Sequence, residues 1–166
     1  EVSSHGIDQN RIAGLEYALG VFTNISHDHL DYHKTFKEYI RAKKNFFDDL
    51  PKTAKCLTNV DDKNGVVMLQ NSNAQKFSYA LKSNADFKAK ILENEFIGMQ
   101  LLIDGVEFWT PLIGQFNAYN LLAVYSIARL LNFDKQEILT HLSKLKNVDG
   151  RFQSFVSPKG ISIIVD

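Results

Sequence analysis

Imidazole and carboxylate groups are concentrated in one short stretch near the beginning of the sequence. From His27 to His33, seven residues include three histidines and two aspartates. The stretch follows an apolar run, residues 20–22, that is typical of a buried strand, and it precedes a helical pattern. Open α/β sheets bind ligands beyond the carboxyl ends of their strands, so the position favours a functional site. Because both side-chain types bind divalent metals, a metal site is one prediction.

A lysine on the next helix occupies an inward-facing position. Lys43 falls on the apolar stripe of this helix, whereas Lys44 does not; the stripe consists of Phe36, Tyr39, Ile40, Phe46, Phe47 and Leu50. In one interpretation Lys43 buries its aliphatic stem and its ammonium group reaches water. In the other, its amine meets an anion or is covalently modified in a site shared with the histidines. The pattern alone leaves both interpretations open.

Three other places carry residues suited to nucleotide chemistry. Asn117 and Asn120 are three residues apart near the start of a predicted helix, so their amides share a face near free backbone N–H groups. This suits a base or a phosphate, although a helix cap is the simpler explanation. Glu1 could hold magnesium if it follows a strand. Arg151, after Gly150, could meet a phosphate.

The predicted elements indicate an α/β fold. Strands alternate with helices in the first half, which implies a parallel sheet with helical crossovers; the strands are 20–24, 55–60 and 76–81, and the helices are 36–50 and 65–69. Residues 1–14 read as a loop with a short helical turn. Thr35 and Glu38 form a predicted capping box for the helix that ends before Pro51.

The second half begins with a different pattern. Alternating segments predict a small antiparallel sheet at 87–92, 95–103 and 106–110, with turns at 93–94 and 104–105. Helices are predicted at 115–131 and from Asp134 to about 145, and a hairpin at 154–165. The fold prediction is therefore a mostly parallel sheet flanked by helices, with a small antiparallel sheet.

Composition excludes several classes of protein. The 166 residues are 45% hydrophobic and carry 19 basic and 19 acidic side chains, which argues against a surface that coats nucleic acid or binds membranes through basic charge. No apolar run approaches the length of a membrane span. The single Cys56 indicates a buried thiol in a reducing compartment.

Taken together, five stretches of the sequence resemble the Mur ligase family, the ATP-dependent amide-bond-forming enzymes of bacterial cell-wall synthesis. They are EVSSHGIDQNRIAG, FTNISHDHLDYH, YIRAKKNFF, GQFNAYN and GRF, in the order and spacing of that family. The likeness is greatest to the activity that adds the third amino acid, diaminopimelate or lysine, to UDP-N-acetylmuramoyl-L-alanyl-D-glutamate through an acyl-phosphate. The resemblance implies the Rossmann-like central ATP-binding domain of such a ligase.

The resemblance also implies roles for individual residues. Glu1 matches a ligand of the magnesium ion that bridges the ATP phosphates, and His29 matches a ligand of a second magnesium ion. Lys43 matches a lysine that carries a carbamate, which would join the metal site, so Lys43 and His29 are the catalytic candidates. The remaining matches are to substrate-binding positions, Ser3, Gln9 and Arg11, and to ATP-binding positions, Asn117, Asn120 and Arg151. The other residues of the histidine stretch are expected to support the loop.

One motif of the family does not occur in this sequence. The phosphate loop G-x-x-G-K-[ST] is not found among the 166 residues. We therefore expect residues 1–165 to be a central domain without its phosphate loop, with a C-terminal domain beginning near Asp166. The expected partners are the N- and C-terminal domains of the same monomeric, cytoplasmic ligase, with no nucleic acid and no membrane. This piece is expected to be inactive alone.

Two alternatives remain at the level of sequence. The stretch from His27 to His33 resembles the H-x-H-x-D-H signature of metallo-β-lactamase-type hydrolases, which favours a metal-dependent hydrolase. One extra residue separates Asp31 from His33, however, and only His5 and His141 remain as further histidines. The second alternative is a non-catalytic relative that binds ligands. Electron density for a modified Lys43 would distinguish it from the enzyme.

Overall fold

The computed structural model describes residues 1–26, 30–146, 153–156 and 162–165. The chain divides into two compact units, Glu1–Asp86 and Phe87–Asp166. Each unit combines strands with helices, and the prediction of an α/β chain with a parallel sheet and a small antiparallel sheet is confirmed.

The first unit is built on three parallel strands, β1 (Leu19–Phe22), β2 (Lys55–Asn59) and β3 (Gln75–Ala80), which pair in the order β1-β2-β3. Its helices are α1 (Ser4–Asp8), α2 (Leu30–His33), α3 (Phe36–Asp48) and α4 (Gly65–Met68). The short helical turn expected within residues 1–14 is α1. Helix α2 was not expected, because four residues inside a polar stretch give no readable helical period.

Helix α3 begins where the capping-box pattern predicts. The Thr35 Oγ1 atom accepts a hydrogen bond from the Glu38 backbone N–H at 3.2 Å, and the Thr35 hydroxyl donates to the Glu38 carboxylate at 3.1 Å. The helix packs closely on β1, because a Cβ atom on Gly20 would lie only 3.0 Å from Phe46 Cε1 on α3. This contact fixes the inward face of α3 against the strand.

The core of the first unit lies between α3 and the parallel sheet. Its buried members are Phe22, Phe46, Phe47, Leu50, Ala54, Cys56, Met68, Leu69 and Ala74. Cys56 is fully buried, as the sequence predicts. Burial of this much apolar surface is the main source of stability for the packing of helix on sheet.

Polar side chains tie together the loops at the carboxyl ends of the strands. The Asn59 side-chain amide donates to the Thr23 carbonyl at 3.0 Å, and the Asp62 carboxylate accepts from the Ile25 backbone N–H at 3.2 Å. The Asp61 carboxylate accepts from the backbone N–H groups of residues 81–83 at 2.8 to 2.9 Å. The loop after β1 is thus held by the loop after β2.

The second unit contains three antiparallel strands, β4 (Phe87–Glu95), β5 (Gly98–Ile103) and β6 (Val106–Thr110). Helices α5 (Gln115–Leu130) and α6 (Lys135–Leu142) follow, and then the antiparallel pair β7 (Gln153–Val156) and β8 (Ser162–Val165). Asp134 caps α6 through its carboxylate, as predicted. The predicted turn at 158–160 lies outside the described residues.

One predicted turn is wrong. Residues 93–94 are not a turn, because β4 continues to Glu95 and the chain reverses at residues 96–97. The pairing of β4 with β5 shifts register between Ile91 and Glu93, which is a bulge. This end of β4 is exposed, so its polar residues need no turn to reach water. The turn at Asp104 and Gly105 is confirmed, with φ values of 52° and 76°.

Among the described residues, no helix combines the length and apolar character that a membrane span requires.

Candidate functional site

A cavity of about 580 Å³ is lined by the whole of β1 and extends past the carboxyl end of this strand. Helices α1 and α3 contribute to its walls, and so does the loop after the strand, through residues 23–26. Its ionisable side chains are those of Glu1, Tyr17, Tyr39 and Lys43. The cavity therefore stands where the fold class predicts a ligand, and three of the site residues predicted from the sequence, Glu1, Ser3 and Lys43, line it.

Lys43 is half-buried and its side chain lines this cavity. Its Nζ atom lies 5.5 Å from the centroid of the Tyr39 ring, one helical turn earlier. Burial lowers the pKa of the Lys43 amine, and the nearby carboxylate of Glu1 opposes that shift. The place of Lys43 in the cavity wall, with its lowered pKa, is compatible with the functional interpretation of this residue.

The neighbouring lysine has a different environment. Lys44 Nζ lies 2.6 Å from both carboxylate oxygens of Asp48, one turn along α3, and Lys44 does not line the cavity. The predicted place of Lys43 on the inward stripe agrees with its position in the cavity wall. Lys44 provides a matched control for experiments on Lys43.

The predicted substrate-binding residues are only partly brought together. Ser3 lines the cavity, and its Oγ atom caps α1 by accepting a hydrogen bond from the Gly6 backbone N–H at 3.1 Å. Gln9 and Arg11 are exposed and do not line the cavity. The Gln9 side-chain amide donates to the Tyr32 hydroxyl at 3.3 Å.

The histidine stretch is described only from residue 30 onward, so His27, Asp28 and His29 lie outside the described residues, as does the side chain of Asp31. His33 is buried, and its ring stacks on Tyr39 with centroids 5.4 Å apart. The described part of the chain contains no group of three or more His, Cys, Asp or Glu residues that could hold a metal ion. The packing of His33 agrees with a supporting role.

Sequence reasoning missed the role of Tyr39 in the cavity. Tyr39 was assigned only to the apolar stripe, yet it joins the cavity wall and contacts both His33 and Lys43. The spacing of Tyr39 and Lys43, four residues apart on a helix, was the signal that could have found this contact.

The predicted ATP-binding asparagines lie on α5 in the second unit. The Asn117 side-chain amide donates to the Ile113 carbonyl at 2.8 Å, which ties the first turn of α5 to the residue before Gly114. Asn120 is exposed and lies one turn further along α5. Arg151 lies outside the described residues.

Comparison with known proteins gives a family match. Residues 1–128 match the family described as Mur ligase middle domain. A UDP-N-acetylmuramoyl-L-alanyl-D-glutamate–2,6-diaminopimelate ligase from Parabacteroides distasonis is 56% identical over 166 residues, which is 100% of this chain and 34% of that protein. The ligase of the same name from Vibrio parahaemolyticus is 36% identical over 175 residues, covering 100% of this chain and 35% of its own length.

Solved structures agree with this match. The structure of a ligase of the same name has a TM-score of 0.77 and 30% identity, over 93% of this chain and 34% of that one. MurF from Acinetobacter baumannii has a TM-score of 0.79 at 17% identity, over 90% of this chain and 33% of its own, which shows a shared fold.

The match gives no support for the hydrolase alternative, since the family that it names consists of ligases. The chain spans about a third of the length of the curated relatives that it matches, 34% for the first of them. On the strength of the match over residues 1–128, this chain belongs to the Mur ligase family and carries its middle domain.

Proposed function

We propose that this chain is the ATP-binding central part of a cytoplasmic ligase of peptidoglycan precursor synthesis. The ligase adds diaminopimelate to UDP-N-acetylmuramoyl-L-alanyl-D-glutamate. The observation that carries the proposal is that Glu1 and Lys43 share one cavity that extends past the carboxyl end of β1. The choice of diaminopimelate over lysine, which the sequence left open, is supported by the names of the relatives with 56% and 57% identity.

The reaction takes place in two steps. A carboxylate oxygen of the substrate attacks the γ-phosphorus of ATP, and ADP leaves, which gives an acyl-phosphate. The amino group of the incoming amino acid then attacks the acyl carbon; the C–N bond forms, inorganic phosphate leaves, and the amine loses a proton. Both steps develop negative charge on oxygen, so catalysis depends on positioned cationic groups and on exclusion of water.

Of the two residues Glu1 and Lys43, only Glu1 has a side chain that suits a magnesium site without modification. The Glu1 carboxylate supplies the hard oxygen ligands that Mg²⁺ prefers, whereas a lysine amine does not. Glu1 would hold one ion, and His29 with a modified Lys43 would hold a second. When bound, Mg²⁺ neutralises charge on the ATP phosphates.

A carbamate on Lys43 would resolve that mismatch. The neutral amine attacks the carbon of CO₂, the C–N bond forms, an electron pair moves onto oxygen, and one proton is released. The product carries a carboxylate-like anion in place of a half-buried cation. The lowered pKa of the amine supports this step, because only the neutral amine is nucleophilic.

The other proposed binding residues are assigned by resemblance. Asn117, Asn120 and Arg151 would bind ATP; a fold relative, MurF from Thermotoga maritima at 19% identity, has been solved in complex with ADP. Ser3, Gln9 and Arg11 would bind the UDP-N-acetylmuramoyl-dipeptide, and the place of Ser3 in the cavity wall is compatible with that role. The complete ligase would act as a monomer, with its N- and C-terminal domains flanking these residues.

The test uses the complete ligase that contains this chain. Phosphate release is measured with ATP, Mg²⁺, the UDP-muramoyl dipeptide and diaminopimelate, and each component is omitted in turn. The dipeptide carboxylate is labelled with ¹⁸O. We expect release only with the full set, and transfer of one ¹⁸O atom to phosphate. Release without the dipeptide, or unlabelled phosphate, would contradict the acyl-phosphate route.

A further inference from the structure

The amine of Lys43 lies over the aromatic ring of Tyr39. Nζ lies 5.5 Å from the ring centroid, with the two side chains four residues apart on α3. Within the described ranges, Lys43 forms no hydrogen bond and no salt bridge. A half-buried amine without an acceptor is attracted electrostatically to the negative face of an aromatic ring.

The ring itself is held in place from other directions. Tyr39 is 5% exposed, and His33 from α2 stacks on it with an angle of 21° between the two rings. Phe36 packs against it edge-on, with centroids 6.2 Å apart. The ring plane is therefore set by packing and does not depend on Lys43.

We propose that Tyr39 is a positioning residue for Lys43. Its ring face holds the amine in the cavity that Glu1 also lines, and His33 holds the ring. An N–H group directed at a ring face keeps part of this attraction when the amine is neutral. The inference rests on the proposed function of Lys43, and it adds a residue that acts through Lys43.

Kinetic measurements on the complete ligase test this role. In Tyr39→Phe, which keeps the ring face, we expect kcat within about threefold of the wild type. In Tyr39→Leu we expect kcat to fall by about 10- to 100-fold while KM for the dipeptide stays within about threefold, because misplacing a reacting group impairs the chemical step.

A graded series separates the ring's charge distribution from its shape. Phenylalanine with one, two or three ring fluorines at position 39 keeps the packing and progressively weakens the negative ring face. We expect crystal structures of the ligand-free variants to show Nζ of Lys43 displaced further as the number of fluorines rises. This series also decides the question if Tyr39→Leu does not fold.

Crystal structures of the ligand-free Tyr39→Phe and Tyr39→Leu ligases provide a readout that needs no activity. We expect Nζ of Lys43 to keep its place in the first and to be displaced in the second. An unmoved Nζ in Tyr39→Leu, a flat fluorine series, or equal losses in Tyr39→Phe and Tyr39→Leu would each overturn the proposal. If the wild-type ligase showed no activity, the proposed function would fail, while the two crystal structures would still test the contact.

Discussion

At the scale of single residues, Lys43 and Cys56 show how burial changes the chemistry of a side chain. Burial lowers the pKa of the Lys43 amine and raises the pKa of the Cys56 thiol, because it disfavours the charged form in both cases. For the amine, the neutral form is the nucleophile, so burial raises its reactivity. For the thiol, the charged form is the nucleophile, so burial suppresses it.

Cys56 should therefore be inert in the folded protein. Its side chain is fully buried, and its Sγ atom donates to the Gln75 carbonyl at 3.5 Å. We expect its labelling by a disulfide reagent at pH 8 to be slower than that of unfolded protein by at least about 100-fold, because labelling needs an opening of the fold. Mass spectrometry of the peptide containing Cys56 measures this rate with and without urea. Comparable rates in the two conditions would show that the thiol is accessible.

At the scale of elements, the start of α3 and the hairpin between β5 and β6 were predictable because their signals are local. A capping box needs only Thr35 and Glu38, and a tight turn needs only Asp104 and Gly105. The turn predicted at 93–94 failed for the opposite reason. The residue at which β4 ends depends on its pairing with β5. That pairing cannot be predicted from the residues of β4 alone.

Thr35→Ala tests the capping box. The substitution removes the oxygen that accepts from the Glu38 N–H, and we expect a loss of about 1 kcal/mol in the free energy of unfolding. Glu38→Gln is the control, because glutamine also serves in a capping box and should cost much less. Urea denaturation curves measure both. Equal losses in the two variants would show that the charge of Glu38, and not the cap, stabilises this end of α3.

Gly105→Ala tests the hairpin turn. Gly105 has a φ of 76°, and an added Cβ atom would meet nothing within 4 Å, so the cost is conformational. We expect a loss of about 1 kcal/mol, and a smaller one for Gly105→Asn, because asparagine tolerates this backbone region better. Thermal unfolding of the complete ligase and both variants measures the difference. A Gly105→Asn variant that is less stable than Gly105→Ala would contradict this explanation.

At the scale of the whole molecule, the sequence specified the family and much of the fold, but not the composition of the site. The spacing of Lys43 on an apolar stripe indicated an unusual lysine. A ligand site beyond the end of β1 could also be predicted, because open α/β sheets bind ligands there. The contact with Tyr39 and the stacking of His33 were not, because they depend on how α2 meets α3. Gln9 and Arg11, matched by resemblance alone, lie outside the cavity wall.

We propose that the amine of Lys43 is part of the catalytic machinery of a ligase. Lys43→Ala and Lys44→Ala in the complete ligase test it most directly, because the two lysines are adjacent and only Lys43 lines the cavity. Single-turnover rates of ADP formation with the dipeptide and diaminopimelate give the effect on chemistry. We expect Lys43→Ala to lower the rate by about two orders of magnitude or more, since it would remove the proposed metal-site anion, and Lys44→Ala to change it by less than about threefold. A Lys43→Ala ligase that retained most of the wild-type rate would show that Lys43 has no catalytic role.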